Sequence, residues 1–390
     1  MLSGCSGIVR TFAIGEAAYL LAVNENVDIP KSVDVGIAPL DAYFCHGQSH
    51  LCWHTQYLLY SNESTFEFRK SKARLDFKDE ENHYHHGQKR SVNYMQPLDK
   101  ALQEKKTDFK EFEAIARKIL NYIPNVLSGY SEKNGYRIYT SEIAGTTKYV
   151  RPINFKLFTL DINEFDEKLK TLNGTFEKIK SGDLNISPEE KENINSSLYT
   201  IQQSIGAGLD LLVGSNSARK HAGNRFEELI RALFNEIGIS NKKTVLQIPY
   251  ETVEGQKVYK CENDLILSPY EKVRSSSISL DENEIVVSIK TTSKDRMGKI
   301  FIDKMLLERF VKHKQKVIGI FLNDVQRKDS DNIAFTLVSG LFMVYTKFLT
   351  ELEGIYYLDP PPNTNKKPYN RYMKPLSELI TTDVFKMLSA

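Results

Sequence analysis

The chain has only four cysteines in 390 residues (Cys5, Cys45, Cys52 and Cys261) and a single tryptophan, Trp53. So few thiols in so long a chain build no disulfide framework, and the expected compartment is a reducing cytoplasm. No apolar run approaches the roughly 18 residues that a membrane helix needs. Leu2-Ser3-Gly4-Cys5 matches a lipoprotein cleavage box, but no charged and apolar leader precedes it, so the match is read as chance. Bulk charge of one sign is also missing. The formal net charge is +2, so any contact with nucleic acid has to come from a local patch. No internal repeat or low-complexity tract stands out. The absence of a Gly-x-x-x-x-Gly-Lys phosphate loop argues against an ATP-driven translocase.

What is present is ordinary for a globular protein: 41% hydrophobic and 26% charged residues, in a chain long enough for two domains. Residues 1–160 are rich in aromatics and histidine, in short mixed runs. Within them 108–127 reads as an amphipathic helix, with Phe112, Ile115, Ile119 and Tyr122 near helical spacing. This portion is read as a mixed α+β domain of unrecognised fold, for DNA binding, an effector or dimerisation. A charged stretch with Leu169, Leu172, Phe176 and Ile179 on one face follows. It breaks at Gly182-Asp183 and restarts at Ser187-Pro188, a good helix start, so 161–200 is expected to be a helical connector.

From 201 to 390 helix and strand alternate. The periodicity predicts helices over 223–237, 300–313 and 341–350, the first stopped by Gly238. Strands are expected over 243–250, 259–267, 285–290, 316–323, 333–338 and 356–358. That order implies an α/β fold with a mixed sheet flanked by helices.

Two strands carry chemistry. The apolar run Glu284-Ile285-Val286-Val287 turns abruptly into Ser288-Ile289-Lys290-Thr291-Thr292-Ser293-Lys294-Asp295-Arg296, and upstream Cys261-Glu262-Asn263-Asp264 precedes Leu265-Ile266-Leu267. An acid on one strand and a lysine closing the next can hold a metal ion beside a phosphate. These elements, with Ala218-Arg219-Lys220-His221-Ala222-Gly223-Asn224-Arg225-Phe226-Glu227 read as a basic turn entering a helix, resemble the catalytic domain of EcoRII-type restriction endonucleases. Those enzymes belong to the PD-(D/E)xK superfamily. The resemblance covers roughly residues 215–325. It departs from the superfamily pattern at Asn263, where Pro is usual, and at Ser288, where an acid is usual.

The resemblance implies a type II restriction endonuclease that hydrolyses double-stranded DNA with Mg²⁺, acts as a homodimer and has a DNA methyltransferase encoded nearby. Asp264 is then the primary metal ligand, because oxygen donors suit Mg²⁺. Lys290 would orient water or stabilise developing charge, and Glu227 would contact metal-bound water or Lys290. The acid missing at Ser288 is expected from the following helix at Asp303, where relatives place Glu, with Glu308 as fallback. Glu228 is expected to face solvent, about 100° around the helix from Glu227. Arg grips guanine and Asp accepts from cytosine in the major groove. Lys294, Asp295 and Arg296 therefore suit G·C pairs, and a site containing CC…GG is implied. Arg219, Lys220 and His221 are candidates for phosphate or base contacts. Alternatives are a repair or structure-specific nuclease of the same superfamily, or a DNA-binding protein with a decayed site.

Cys45, His46, His50, Cys52 and His54, with His83, His85 and His86 further on, include zinc-type ligands, but the spacing fits no standard finger and polar loops are the expectation.

Overall fold

The computed structural model describes residues 107–389 apart from 144, 213–214, 294–295, 329, 331 and 336–338. The Cys/His cluster at 45–54, Trp53 and the cleavage box lie outside the described residues.

Helix α1 (Phe109–Val126) opens with a capping box: Asp108 accepts from the Glu111 amide and Glu111 reaches back to the Asp108 amide. It buries Phe109, Phe112, Ile119 and Ile123. Four short strands follow, β1 (Gly129–Lys133), β2 (Tyr136–Ile143), β3 (Thr146–Tyr149) and β4 (Ile153–Asn154), with β2 pairing antiparallel to the other three. Helix α2 (Ile162–Lys180) buries Phe165, Leu169, Leu172, Phe176 and Ile179, the stripe expected from its spacing. Helix α3 (Pro188–Leu212) starts at the Ser-Pro signal and is buried along most of its length.

The helices read as a connector lie inside a core. One cluster of buried side chains runs from Phe109 and Phe112 through Phe165, Leu198 and Leu229 to Ile289 and Ile318. Residues 161–200 therefore pack with the segments on both sides of them.

Helix α4 (Ser215–Glu236) begins before the predicted start at 223. The basic cluster 219–221 is thus helical and not a turn, because Ala218, Ala222, Phe226 and Leu229 form one buried stripe. The helix ends as expected: Gly238 adopts φ +81° and Ile239 N donates to Phe234 O at 2.8 Å.

The principal sheet has six strands, in the order β12-β11-β8-β7-β6-β5. Its members are β5 (Ser240–Thr252), β6 (Gly255–Ser268), β7 (Ile285–Lys290), β8 (Lys316–Phe321), β11 (Gly354–Tyr357) and β12 (Met373–Pro375). β5, β6 and β7 are antiparallel neighbours, whereas β7, β8, β11 and β12 run parallel. Alternation sorts the side chains. Leu265, Leu267, Val287, Ile289 and Ile320 join the cluster beneath α3 and α4. Ile266, Val286, Val317 and Phe321 meet α5 (Met297–Val311) and α6 (Ser339–Phe348) on the other face. The mixed sheet flanked by helices is the arrangement expected. The strand expected at 333–338 is β10 (Ile333–Phe335), which pairs with β9 (Val325–Arg327) in a separate hairpin and not in the main sheet.

A buried polar knot ties the two sheets together. Asp359, 3% exposed, accepts from Tyr136 Oη of β2 and Asn154 Nδ2 of β4, both at 2.8 Å. Nearby, Asp324 accepts from the Ser293 amide at 2.8 Å and from Tyr357 Oη at 2.9 Å. Burial pushes Asp359 up to about 6, with the charge of Asp324 adding to the rise.

Candidate active site

Strand pairing brings Asp264 and Lys290 together. The β5–β6 register shifts between Lys242 and Thr244, so that Lys243 stands opposite both Asp264 and Leu265. Such a bulge re-aims a side chain. Pairing of β6 with β7 runs over Leu265–Leu267 and stops short of Asp264, whose Oδ2 accepts from the Ile289 amide at 2.8 Å. The Lys290 ammonium donates to the same Oδ2 at 2.5 Å.

Glu227 comes from α4, beside the buried Phe226 and Leu229 that press the helix onto the sheet. Its Oε1 lies 3.7 Å from Lys290 Nζ, and Lys243 Nζ is 3.4 Å from its Oε2. Burial, reinforced by the charge of Asp264, pushes the Glu227 carboxyl above its ordinary range, while Lys290 and Lys243 oppose the rise. Glu228, expected to face solvent, is half-buried and accepts from Arg231 Nε at 2.8 Å.

Glu227 and Asp264 repel each other across the Lys290 ammonium that lies against both. Asp264 Oδ1 accepts no hydrogen bond among the described residues, both bonds to that side chain ending on Oδ2. A hard, oxygen-seeking divalent cation fits such a site.

Asp303 and Glu308 are engaged elsewhere. Asp303 on α5 holds Lys299 Nζ at 2.5 Å, and its charge adds to the burial that raises the Cys261 thiol on β6. Glu308 accepts from the Gln315 amide and stands 3.7 Å from Lys304. Among the described residues no group of three His, Cys, Asp or Glu side chains is gathered to hold a metal. The structure thus assembles Glu227, Asp264 and Lys290, and leaves Asp303 paired with its own helix.

A cleft of about 750 Å³ opens at this site. Glu227 and Lys290 line it together with the expected Arg219 and Arg296. Lys220 is exposed and His221 half-buried on the same helix, but neither lines the cleft. Lys294 and Asp295 lie outside the described residues. Five cationic side chains (Arg151, Arg219, Lys290, Arg296 and Arg327) face two carboxylates, Asp210 and Glu227, so the lining favours a polyanion although the whole chain is nearly neutral.

Sequence reasoning missed the far wall. Tyr149, Arg151, Gln326 and Arg327 line the same cleft from β3, β9 and the turn after β3. Arg151 is fixed by Asp210, which accepts from its backbone N and Nε at 2.8 Å and from Nη2 at 2.9 Å. Arg327 lies over the Tyr149 ring at 5.1 Å. No motif flags these residues, because they are divided among three short elements, and β9 lies far in sequence from the other two.

No protein-family model and no curated protein sequence matches the chain. Among solved structures it is similar to the type IIP restriction endonuclease Kpn2I, with a TM-score of 0.54 and 16% identity, covering 72% of this chain and 91% of that one. A second match is the restriction endonuclease PspGI in complex with substrate DNA, with a TM-score of 0.33 and 14% identity, covering 58% of this chain and 92% of that one. The likeness to Kpn2I is one of fold: the described residues have the architecture of a restriction endonuclease.

Proposed function

We propose that the chain is a Mg²⁺-dependent endonuclease that cuts double-stranded DNA at a specific site, as type II restriction enzymes do. The observation that carries this reading is the Glu227–Asp264–Lys290 trio at the side of a basic cleft. The restriction-endonuclease fold supports it.

In this reading Asp264 holds the cation. Asp303 is retained as the second ligand, a role that requires it to leave Lys299. When bound, Mg²⁺ supplies Lewis acidity and charge neutralisation at the phosphate. The remaining chemistry belongs to the chain. Hydrolysis adds water to phosphorus and breaks one P–O ester bond. Lys290 Nζ, held by Asp264 Oδ2, presents N–H donors to the phosphate oxygens as negative charge builds on them. Glu227 Oε1, beside that ammonium, is placed to take the proton released by water, and its raised pKa brings its basicity nearer to neutrality. Arg219, at the mouth, offers positive charge to the backbone. Arg296 stands where it can grip a guanine, with Lys294 and Asp295 preceding it in the chain; the CC…GG target is the form of site this favours. One trio per chain and two strands of opposite polarity call for a homodimer, and a cognate methyltransferase would protect host DNA.

The test is digestion of unmethylated phage DNA with Mg²⁺ by the wild type and by Lys290→Ala. Discrete fragments from the wild type alone are expected. A smear abolished by the substitution would keep the nuclease and remove its specificity. Tight binding without cleavage in Mg²⁺ or Mn²⁺ would leave a DNA-binding protein in its place.

A further inference from the structure

Beside Thr292 the cleft has a second wall, formed by β9, and one side chain on that wall has its hydrogen-bonding groups to spare. Gln326 is the central residue of β9, paired with Ala334 of β10. It lines the cleft shared by Lys290, Thr292 and Arg296. Its Nε2 donates to Thr292 Oγ1 at 3.3 Å. That single bond uses one of the two Nε2 hydrogens and leaves the carbonyl Oε1 without a partner among the described residues.

The mount is stiff. Lys133 Nζ of β1 donates to Asn332 Oδ1 at 2.8 Å. The Phe335 and Tyr136 rings pack at 5.9 Å, and Val325 N donates to Asn323 Oδ1 at 3.3 Å. A polar side chain on a tied strand, steered by Thr292 at the root of the reading loop, is pre-organised for recognition in a way that a free surface glutamine is not.

We infer that Gln326 is a specificity-determining residue that reads an adenine beside the G·C pairs assigned to Lys294, Asp295 and Arg296. The inference rests on the reading of the cleft as a DNA site. The free groups are one acceptor and one donor on a planar amide. The adenine edge in the major groove presents the complement, a donor at N6 and an acceptor at N7. Guanine offers two acceptors and cytosine a lone donor, so neither satisfies both groups of the amide.

The experiment is selection from a random duplex pool by the full-length chain, with Ca²⁺ in place of Mg²⁺, for the wild type, Gln326→Ala and Gln326→Glu. The wild type is expected to enrich a site with A at one position of each half. In Gln326→Ala the preference at that position falls by roughly 5- to 150-fold while the others persist, the range that one paired contact contributes. In Gln326→Glu the preference moves from A toward C, because a carboxylate only accepts. An unchanged selected site in both variants overturns the inference, and so does a fall in affinity that is uniform over all sequences. If the wild type enriches no sequence at all, the specific-DNA reading of the cleft falls and the inference falls with it.

Discussion

At neutral pH the Asp359 carboxylate is ionised inside the polar knot that joins the two sheets, and it is held there at a cost. Burial places its pKa at about 6 against 3.8 for an exposed aspartate, with Asn154, Tyr136 and Tyr199 hydrogen bonds offsetting only part of the rise. A difference of about two units corresponds to about 3 kcal/mol, at 1.36 kcal/mol per unit. The sign follows from proton binding. Between pH 3.8 and about 6 the folded chain keeps a proton that the unfolded chain has released, so this group's contribution to stability falls as pH rises through that window and is constant above it. The neutral amide of an Asp359→Asn variant has no such dependence. The perturbation is therefore acidification from pH 7 to pH 4, applied to wild type and to Asp359→Asn, with urea unfolding followed by circular dichroism. Over that range the wild type should gain about 2.4 kcal/mol relative to the variant, the unfolded aspartate being itself only partly protonated at pH 4, a relative midpoint shift of roughly 0.8 M for a slope of about 3 kcal/mol/M. Other carboxylates titrate in both proteins and cancel in the difference. A difference that stays flat, or moves against the wild type on acidification, would refute the placement of a buried, strained carboxylate here.

Three further outcomes follow from the site. Because burial and Asp264 raise Glu227, the acid limb of the cleavage rate should lie above the ordinary carboxylate range, activity being lost as pH falls through the raised value; a pH–rate profile checks this, and Glu227→Gln should abolish the limb. Lys290→Ala should cost about 10²–10³-fold in single-turnover cleavage, the scale for losing one charge-stabilising donor, with duplex binding measured separately in Ca²⁺; a loss below tenfold would count against its role. A Cβ at Gly206 would meet Arg151 Nη1 at 2.5 Å and Cζ at 2.6 Å, driving the guanidinium from Asp210. Gly206→Ala should therefore destabilise by about 1–3 kcal/mol, exceeding the helix gain of about 1 kcal/mol, as thermal unfolding would show.

The expectations that held are those written in local periods. The α1 helix and the apolar stripe of α2 are 3.6-residue signals, although Tyr122, placed on the α1 stripe, is exposed and Ile115 half-buried; β7 is a run of β-branched residues closed by a lysine. The start of α4 escaped because Gly223 and a basic cluster look like a turn, whereas the buried Ala218–Ala222 stripe overrides that local signal once a sheet lies beneath it. Asp303 stands at a plausible spacing, but spacing along a helix does not say which neighbour a carboxylate meets, and Lys299, one turn away, meets it first.

By itself, then, the sequence determined α1, α2 and the strands β5 to β8, and it singled out Glu227, Asp264 and Lys290 as candidates, because burial pattern and side-chain type are local properties. Only the tertiary structure decided how those groups face one another and what stands opposite them. The bulge that turns Asp264 toward Lys290 depends on the register with β5. The far wall with Arg151 and Gln326, and the contact of Tyr136 with Asp359 across 223 positions, depend on pairings between distant segments. Such pairings leave no period in the chain, since they are selected by shape and hydrogen-bond satisfaction once the elements have packed.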